Sequence, residues 1–261
     1  MRKFAKIGSF SKVAKWACFN DVGKVIYHGT VKLHGTNAGI RREGMRLVAQ
    51  SRNREITPDD DNMGFAAWVA KNEIELLCEF NRCGMHADGS TLYGEWIGPG
   101  INRGCAVNQL EFRRFVVFAS RDPHGDYTQD WSDLNPSGDI GLDTVRRAPC
   151  WRMTVDFKSA DSRAAFAAAA DDETLRVEKQ CPFGALFGID GLGEGIVWTP
   201  ATPKYMGVEE LFIKTKGAKH RVANRRAAAV SDPEALASAR EFVEFAVTPA
   251  RLDQGIEVLR E

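Results

Sequence analysis

Apolar and polar residues alternate along 24–33, KVIYHGTVKL. The period of two and the β-branched residues predict a strand. Residues 45–51, MRLVAQS, predict its antiparallel neighbour, joined to it through Arg41–Gly44. The spacing changes over residues 62–80, where Phe65, Trp68, Val69, Leu76, Leu77 and Phe80 suit one face of an amphipathic helix. Short strands are expected at Thr91–Trp96, Arg114–Ser120 and Arg152–Phe157. A helix is expected over Ser159–Lys179, capped by Ser159 or Asp161. Two more strands fit Gly195–Thr199 and Glu210–Lys214. Beyond Gly217 the chain reads helical. Ser231-Asp232-Pro233-Glu234 has the cap, first-turn proline and acid of a helix start, and a short helix is expected near Thr248-Pro249. The order is that of an α+β fold: antiparallel sheets flanked by helices, with a short helical C-terminal segment. Gly98–Leu110 and Asp122–Gly141 read as long loops, a length that often signals function.

The chain has 261 residues, enough for one large domain or one domain with an appendage. Its hydrophobic content of 44% and charged content of 27% fit a globular protein. No run approaches the ~20 apolar residues that span a bilayer. The N-terminus is basic but lacks the apolar core and cleavage signal of a leader. A cytoplasmic monomer with no membrane association is the default expectation. The 6 cysteines form no CxxC pair, so they are expected to be reduced and mostly buried.

The net charge of +0 argues mildly against a nucleic-acid binder. Its distribution changes that picture. Residues 214–226, KTKGAKHRVANRR, are strongly basic, while 231–261 carry many acids. Such asymmetry allows a local phosphate-binding surface on a neutral chain.

Four short stretches could carry chemistry. Lys32 ends the first strand, and Gly35 behind it permits a tight turn that a nucleotide can approach. Glu95 lies in Tyr93-Gly94-Glu95-Trp96, and Glu194 precedes the strand Gly195-Ile196-Val197. Lys214 and Lys216 project to one face if Lys214-Thr215-Lys216 is extended. Each stretch alone is common on solvated surfaces. Phe115 and Phe118 lie on one strand and face opposite sides, so one can enter a pocket and the other the core.

Taken together, KLHGTN, SR, YGEW, the aromatic strand, EGIV and KTK occur in the order found in one superfamily. The set resembles the covalent nucleotidyltransferases, the superfamily of ATP-dependent ligases and capping enzymes. The KLHGTN form and the segment GEWIGPGINRGCAVNQLEFRRFVVFA resemble the RNA ligase 2 class and related phage-type RNA ligases. The likeness covers roughly residues 24–216. It implies an adenylation domain over 1–216 and, over 217–261, a minimal or shortened version of a helical domain.

The resemblance also implies a chemistry. Lys32 matches a nucleophile that takes AMP from ATP, passes it to an RNA 5′-phosphate, and so lets a 3′-hydroxyl seal the break. RNA ends or a nicked duplex would be the partners, in RNA repair. A lysine of ordinary pKa ~10.4 cannot attack at neutral pH, and Lys214, Lys216 and a Mg²⁺ ion are the cations expected to depress it. Lys214 and Lys216 match lysines that contact the α-phosphate, and Glu194 matches the acid that holds the metal. Glu95 and Arg52 match groups near the ribose, and Phe118 matches the ring that stacks on adenine. Gly35 and Asn37 belong to the nucleotide-binding turn, and His34 matches a residue that supports the later steps. Two positions depart from the pattern. Val31 stands where many relatives have Glu, which puts base selectivity in question, and Ala119 stands where an Asp often follows the Phe. No five-strand OB pattern follows the KTK stretch. A DNA ligase or other nucleotidyltransferase using the same lysine, and a non-catalytic nucleotide- or RNA-binding module, are the alternatives.

Overall fold

The computed structural model describes residues 1–128 and 130–217. The helix starts expected at Ser231 and Thr248, and the segment after Gly217, lie outside the described residues.

Strand β1 (Lys24–Lys32) buries Val25, Tyr27 and Val31 on one face and turns His28, Thr30 and Lys32 to the other. This is the alternation seen in the sequence. Its neighbour is not the 45–51 segment. A polar strand that the sequence reading missed, β2 (Thr36–Glu43), follows the turn after Lys32 and pairs with β3 (Arg46–Ser51). Only Ala38, Gly39, Ile40 and Arg42 of β2 are buried, and Arg42 hydrogen-bonds Asn81 at 2.7 Å, so no apolar run marks the strand.

The expected helix over 62–80 is two helices, α2 (Phe65–Lys71) and α3 (Glu73–Arg82), broken at Asn72. A helix that was not expected, α1 (Phe10–Phe19), precedes β1. Strand β4 (Glu55–Ile56) extends the β2–β3 pair, and β5 (Thr91–Ile97) and β6 (Arg114–Arg121) follow as expected. The 122–141 loop carries a short strand, β7 (Tyr127–Thr128), and a single turn over 130–133. Then come β8 (Leu142–Thr144), β9 (Trp151–Asp156), helix α4 (Ala160–Lys179) and the short α5 (Pro182–Ala185). Ser159 caps α4, its hydroxyl accepting from Ser162 N. Strand β10 (Gly195–Pro200) falls where the sequence places it. The last strand, β11 (Ile213–Lys216), starts later than expected because Glu209–Leu211 form a 3₁₀ turn.

Two sheets result. One has the order β11-β10-β1-β9, all antiparallel. The other has the order β4-β3-β2-β5-β6-β7, antiparallel, with β8 parallel to β6. Helix α4 covers the back of the first sheet, where Phe166 packs 5.4 Å from Tyr27 and 5.6 Å from Trp198. Phe65 of α2 sits 5.0 Å from Phe115 and 5.4 Å from Trp96 on the second. These large rings are fully or almost fully buried and fix the two sheets' inner faces. Three of the six cysteines, Cys83, Cys105 and Cys181, are buried; Cys18, Cys78 and Cys150 are exposed, so the expectation of mostly buried thiols holds for only half. All six are free. Among the described residues no helix is long and apolar enough to cross a membrane.

Candidate active site

A cleft of about 920 Å³ is lined by residues of both sheets. The register of the first sheet builds one end of it. Lys32 of β1 stands opposite Gly195 of β10, and Gly195 stands opposite Lys216 of β11. Glu194 immediately precedes this row. Its carboxylate takes Lys32 Nζ at 2.7 Å on Oε2 and Lys216 Nζ at 2.6 Å on Oε1. His34 Nδ1 lies 3.4 Å from the same Oε2. Glu194 is 4% exposed, and the two lysines 20% each. Burial alone would raise its pKa. The hydrogen bond from His34, the charge of Lys32, and the bonds from Lys216 and Lys32 outweigh burial and hold Glu194 well below the usual carboxylate range.

Two glycines make this packing possible. Gly195 has φ +151°, and a Cβ there would lie 2.1 Å from the Thr215 carbonyl oxygen. A Cβ at Gly35 would lie 2.2 Å from the Trp96 carbonyl oxygen. Gly35 therefore lets the turn after Lys32 press against β5, where its N–H donates to Glu95 Oε1 at 3.1 Å. Asn37 faces Glu95 across β2 and β5. Burial, then the nearby charge of Glu194, push Glu95 up to about 7, although Lys32 and the Gly35 N–H favour its charged form.

Lys214 shares the cleft-facing side of β11 with Lys216. Burial, and then Lys216, Lys32 and Arg52, depress its pKa. Among the described residues Lys214 has no carboxylate ion-paired to it. Among the described residues, seven lysine and arginine side chains line the cleft against one carboxylate, Glu95. A chain of zero net charge thus holds a strongly positive concavity.

Phe118 lines the cleft while Phe115 is fully buried. A bulge separates their roles. Tyr93 pairs with Ala119 and Gly94 with Val117, so Phe118 is the extra residue on β6. Of the ten residues singled out from the sequence, seven line the cleft: Lys32, Asn37, Arg52, Glu95, Phe118, Lys214 and Lys216. Glu194 and His34 stand just behind the lysine row, and Gly35 forms the turn.

Lys32 and Lys216 share one acid, each on a different oxygen of Glu194.

Several cleft residues escaped sequence reading. Phe4, from the N-terminal segment, meets Phe118 edge-on with centroids 4.9 Å apart. That segment is pinned to both sheets. Arg2 O accepts from Tyr93 Oη at 3.1 Å, and Gly8 O accepts from Lys214 N at 2.8 Å. At the far end of the cleft stand His28, Arg146 and Arg152, with Arg146 over the Trp131 ring at 4.5 Å. Phe4 and Arg146 lie outside the strands that carry the motifs, and only tertiary structure brings them in. The alternation of β1 does put His28 on the face of Lys32, a usable signal.

The two sheets flanked by helices match a nucleotidyltransferase-like fold. The chain belongs to the RNA ligase family, whose model matches residues 26–216. No curated protein sequence matches it. Its fold is similar to solved structures of a Naegleria gruberi RNA ligase. One is a mutant with ATP and Mn, at TM-score 0.55 and 17% identity over 85% of this chain. Another is a mutant with AMP and Mn, at TM-score 0.56 and 16% identity over 85%. A third is the ligase with PPi, at TM-score 0.55 and 16% identity over 86%. In each case the chain spans 58% of the length of the matched chain.

Proposed function

We propose that this chain is an ATP-dependent RNA ligase that works through a lysyl-AMP at Lys32, with residues 1–216 as its adenylation domain. The observation that carries the reading is the shared carboxylate: Lys32 and Lys216 end on opposite oxygens of buried Glu194, 2.7 and 2.6 Å away. Lys32 Nζ, once it has lost its proton, attacks the α-phosphorus of ATP. A P–N bond forms, the P–O bond to the β-phosphate breaks, and pyrophosphate leaves. A 5′-phosphate oxygen of RNA then attacks the same phosphorus and releases Lys32. Finally a 3′-hydroxyl attacks the activated 5′-phosphate, and AMP leaves.

The site offers what these steps need. Charge stabilisation and positioning dominate reactions of this kind. Lys214 and Lys216 supply two positive charges on one strand face, beside the lysine that must bond to phosphorus. The adenine lies against Phe118, whose ring Phe4 meets edge-on. Glu95 meets the sugar, with Asn37 opposite it and Arg52 nearby. His34, bonded to Glu194, keeps the carboxylate aimed at the lysine row.

A divalent cation fits this donor set. Glu194 is a hard oxygen donor at the reaction centre. Among the described residues no group of three or more His, Cys, Asp or Glu side chains could hold a metal alone. Glu194 would therefore hold Mg²⁺ together with phosphate oxygens and water. When bound, the ion neutralises charge on the phosphates. A cation held by Glu194 would compete with Lys32 for the same carboxylate. The test is sealing of 5′-phosphorylated nicks in RNA, DNA and hybrid duplexes with ATP and Mg²⁺. The reading expects sealing that needs RNA; sealing of DNA nicks alone would refute it.

A further inference from the structure

The loop after β5 forms a surface of its own. Residues 98–109 read GPGINRGCAVNQ. Pro99, Gly100, Asn102, Arg103, Asn108 and Gln109 help line a second concavity of about 440 Å³. None of its lining residues is an acid, and it shares none with the cleft. Arg103 is exposed there. Among the described residues no acid is ion-paired to it.

This loop is tied to the reaction centre at three points. Asn102 Nδ2 donates to Gly35 O at 2.7 Å, and Asn108 Nδ2 donates to His34 O at 3.0 Å. Asn108 Oδ1 in turn accepts from Cys105 N at 3.1 Å, so one side chain joins the loop to the turn after Lys32. Ala106 N donates to Leu192 O at 2.9 Å, two residues before Glu194. The Arg103 loop is therefore fixed to the chain on both sides of the Lys32–Glu194 pair.

The chemistry of the second substrate needs such a surface. With AMP in the cleft, the strand that receives it must reach the α-phosphorus from outside. We propose that the 98–109 loop binds a phosphate of the acceptor polynucleotide beside Lys32, with the Arg103 guanidinium as the contacting group and Asn102 and Asn108 coupling the loop to the turn. This rests on the ligase reading above. A guanidinium presents paired donors that match phosphate oxygens, and an uncompensated cation in a concavity suits a polyanion.

The test uses the full chain with Arg103→Ala, Arg103→Glu and Arg103→Lys. Self-adenylation should stay within about 2-fold of the unaltered protein. In single-turnover assays of the isolated adenylated protein, AMP transfer to 5′-phosphorylated RNA should fall about 10- to 100-fold for Ala and further for Glu. Lys should recover part of the loss. The slope of log affinity against log salt for RNA should shrink by about one phosphate contact. A loss of affinity confined to 5′-phosphorylated RNA assigns the terminal phosphate. An equal loss with 5′-hydroxyl RNA assigns a backbone phosphate. Unchanged transfer and an unchanged salt slope would overturn the proposal. If the unaltered chain does not adenylate, the ligase reading fails instead, and the salt slope still decides whether Arg103 meets a phosphate.

Discussion

Lys32 Nζ lies 2.7 Å from Oε2 of Glu194, at the point where β1 and β10 come into register. Glu194 balances two lysines in a part-buried site, and among the described residues it is the one carboxylate ion-paired to Lys32, the proposed nucleophile. Glu194→Gln should abolish most AMP transfer, by about 100-fold or more. It should also destabilise the fold by about 1–3 kcal/mol, because both lysines lose a charged partner. Urea denaturation and a labelled-ATP assay check the two halves. Activity near that of the unaltered chain would remove Glu194 from the mechanism.

Gly35→Ala should disrupt the site through shape alone. The added Cβ would fall 2.2 Å from the Trp96 carbonyl oxygen, so the turn must withdraw from β5 and give up its bond to Glu95. The expected result is a folded protein, less stable by about 1–3 kcal/mol, with AMP transfer down at least tenfold. Circular dichroism with the adenylation assay checks it.

Stability should carry the signature of Glu95. Its folded pKa of about 7 is above the ordinary glutamate value of 4.5. Between these values the folded state binds more protons than the unfolded chain, so this group makes stability fall as pH rises from about 4.5 through 7. The loss is at most about 3 kcal/mol at ~1.36 kcal/mol per pH unit, and less where cleft water reaches the carboxylate. Glu95→Gln removes the slope. Denaturation at pH 5 and pH 8 should show the variant gaining on the unaltered protein at pH 8. An equal difference at both pH values would contradict the assignment.

Phe118→Ala should raise the KM for ATP about tenfold or more, with a smaller change in the rate of adenylation at saturation. Loss of one stacking ring is worth about 1–3 kcal/mol. Phe118→Tyr should keep most of the affinity. Adenylation rates across a range of ATP concentrations separate the two parameters.

Much of this was legible in the chain because the chemistry sits at strand ends. β1, β5, β6, β9 and β10 alternate or are β-branched enough to be read, and Lys32, Glu95 and Glu194 are anchored to three of them. The motif order supplied what no single motif could. β2 was hidden because Arg41, Arg42 and Glu43 make it look like a loop, although Ala38 and Ile40 are buried. α2 and α3 merged in the reading because the apolar spacing continues across Asn72. The pairing of β1 with β9 and β10 joins residues more than a hundred positions apart, which a local pattern does not encode. Phe4 meets Phe118, and Asn108 meets His34, only through tertiary contacts as well.

The central claim is that Lys32 carries AMP. Intact mass spectrometry of the chain after incubation with ATP and Mg²⁺ tests it most directly. The expected result is one added AMP that pyrophosphate removes, and no adduct on Lys32→Ala. An adduct that survives Lys32→Ala, or none on the unaltered chain, would contradict it.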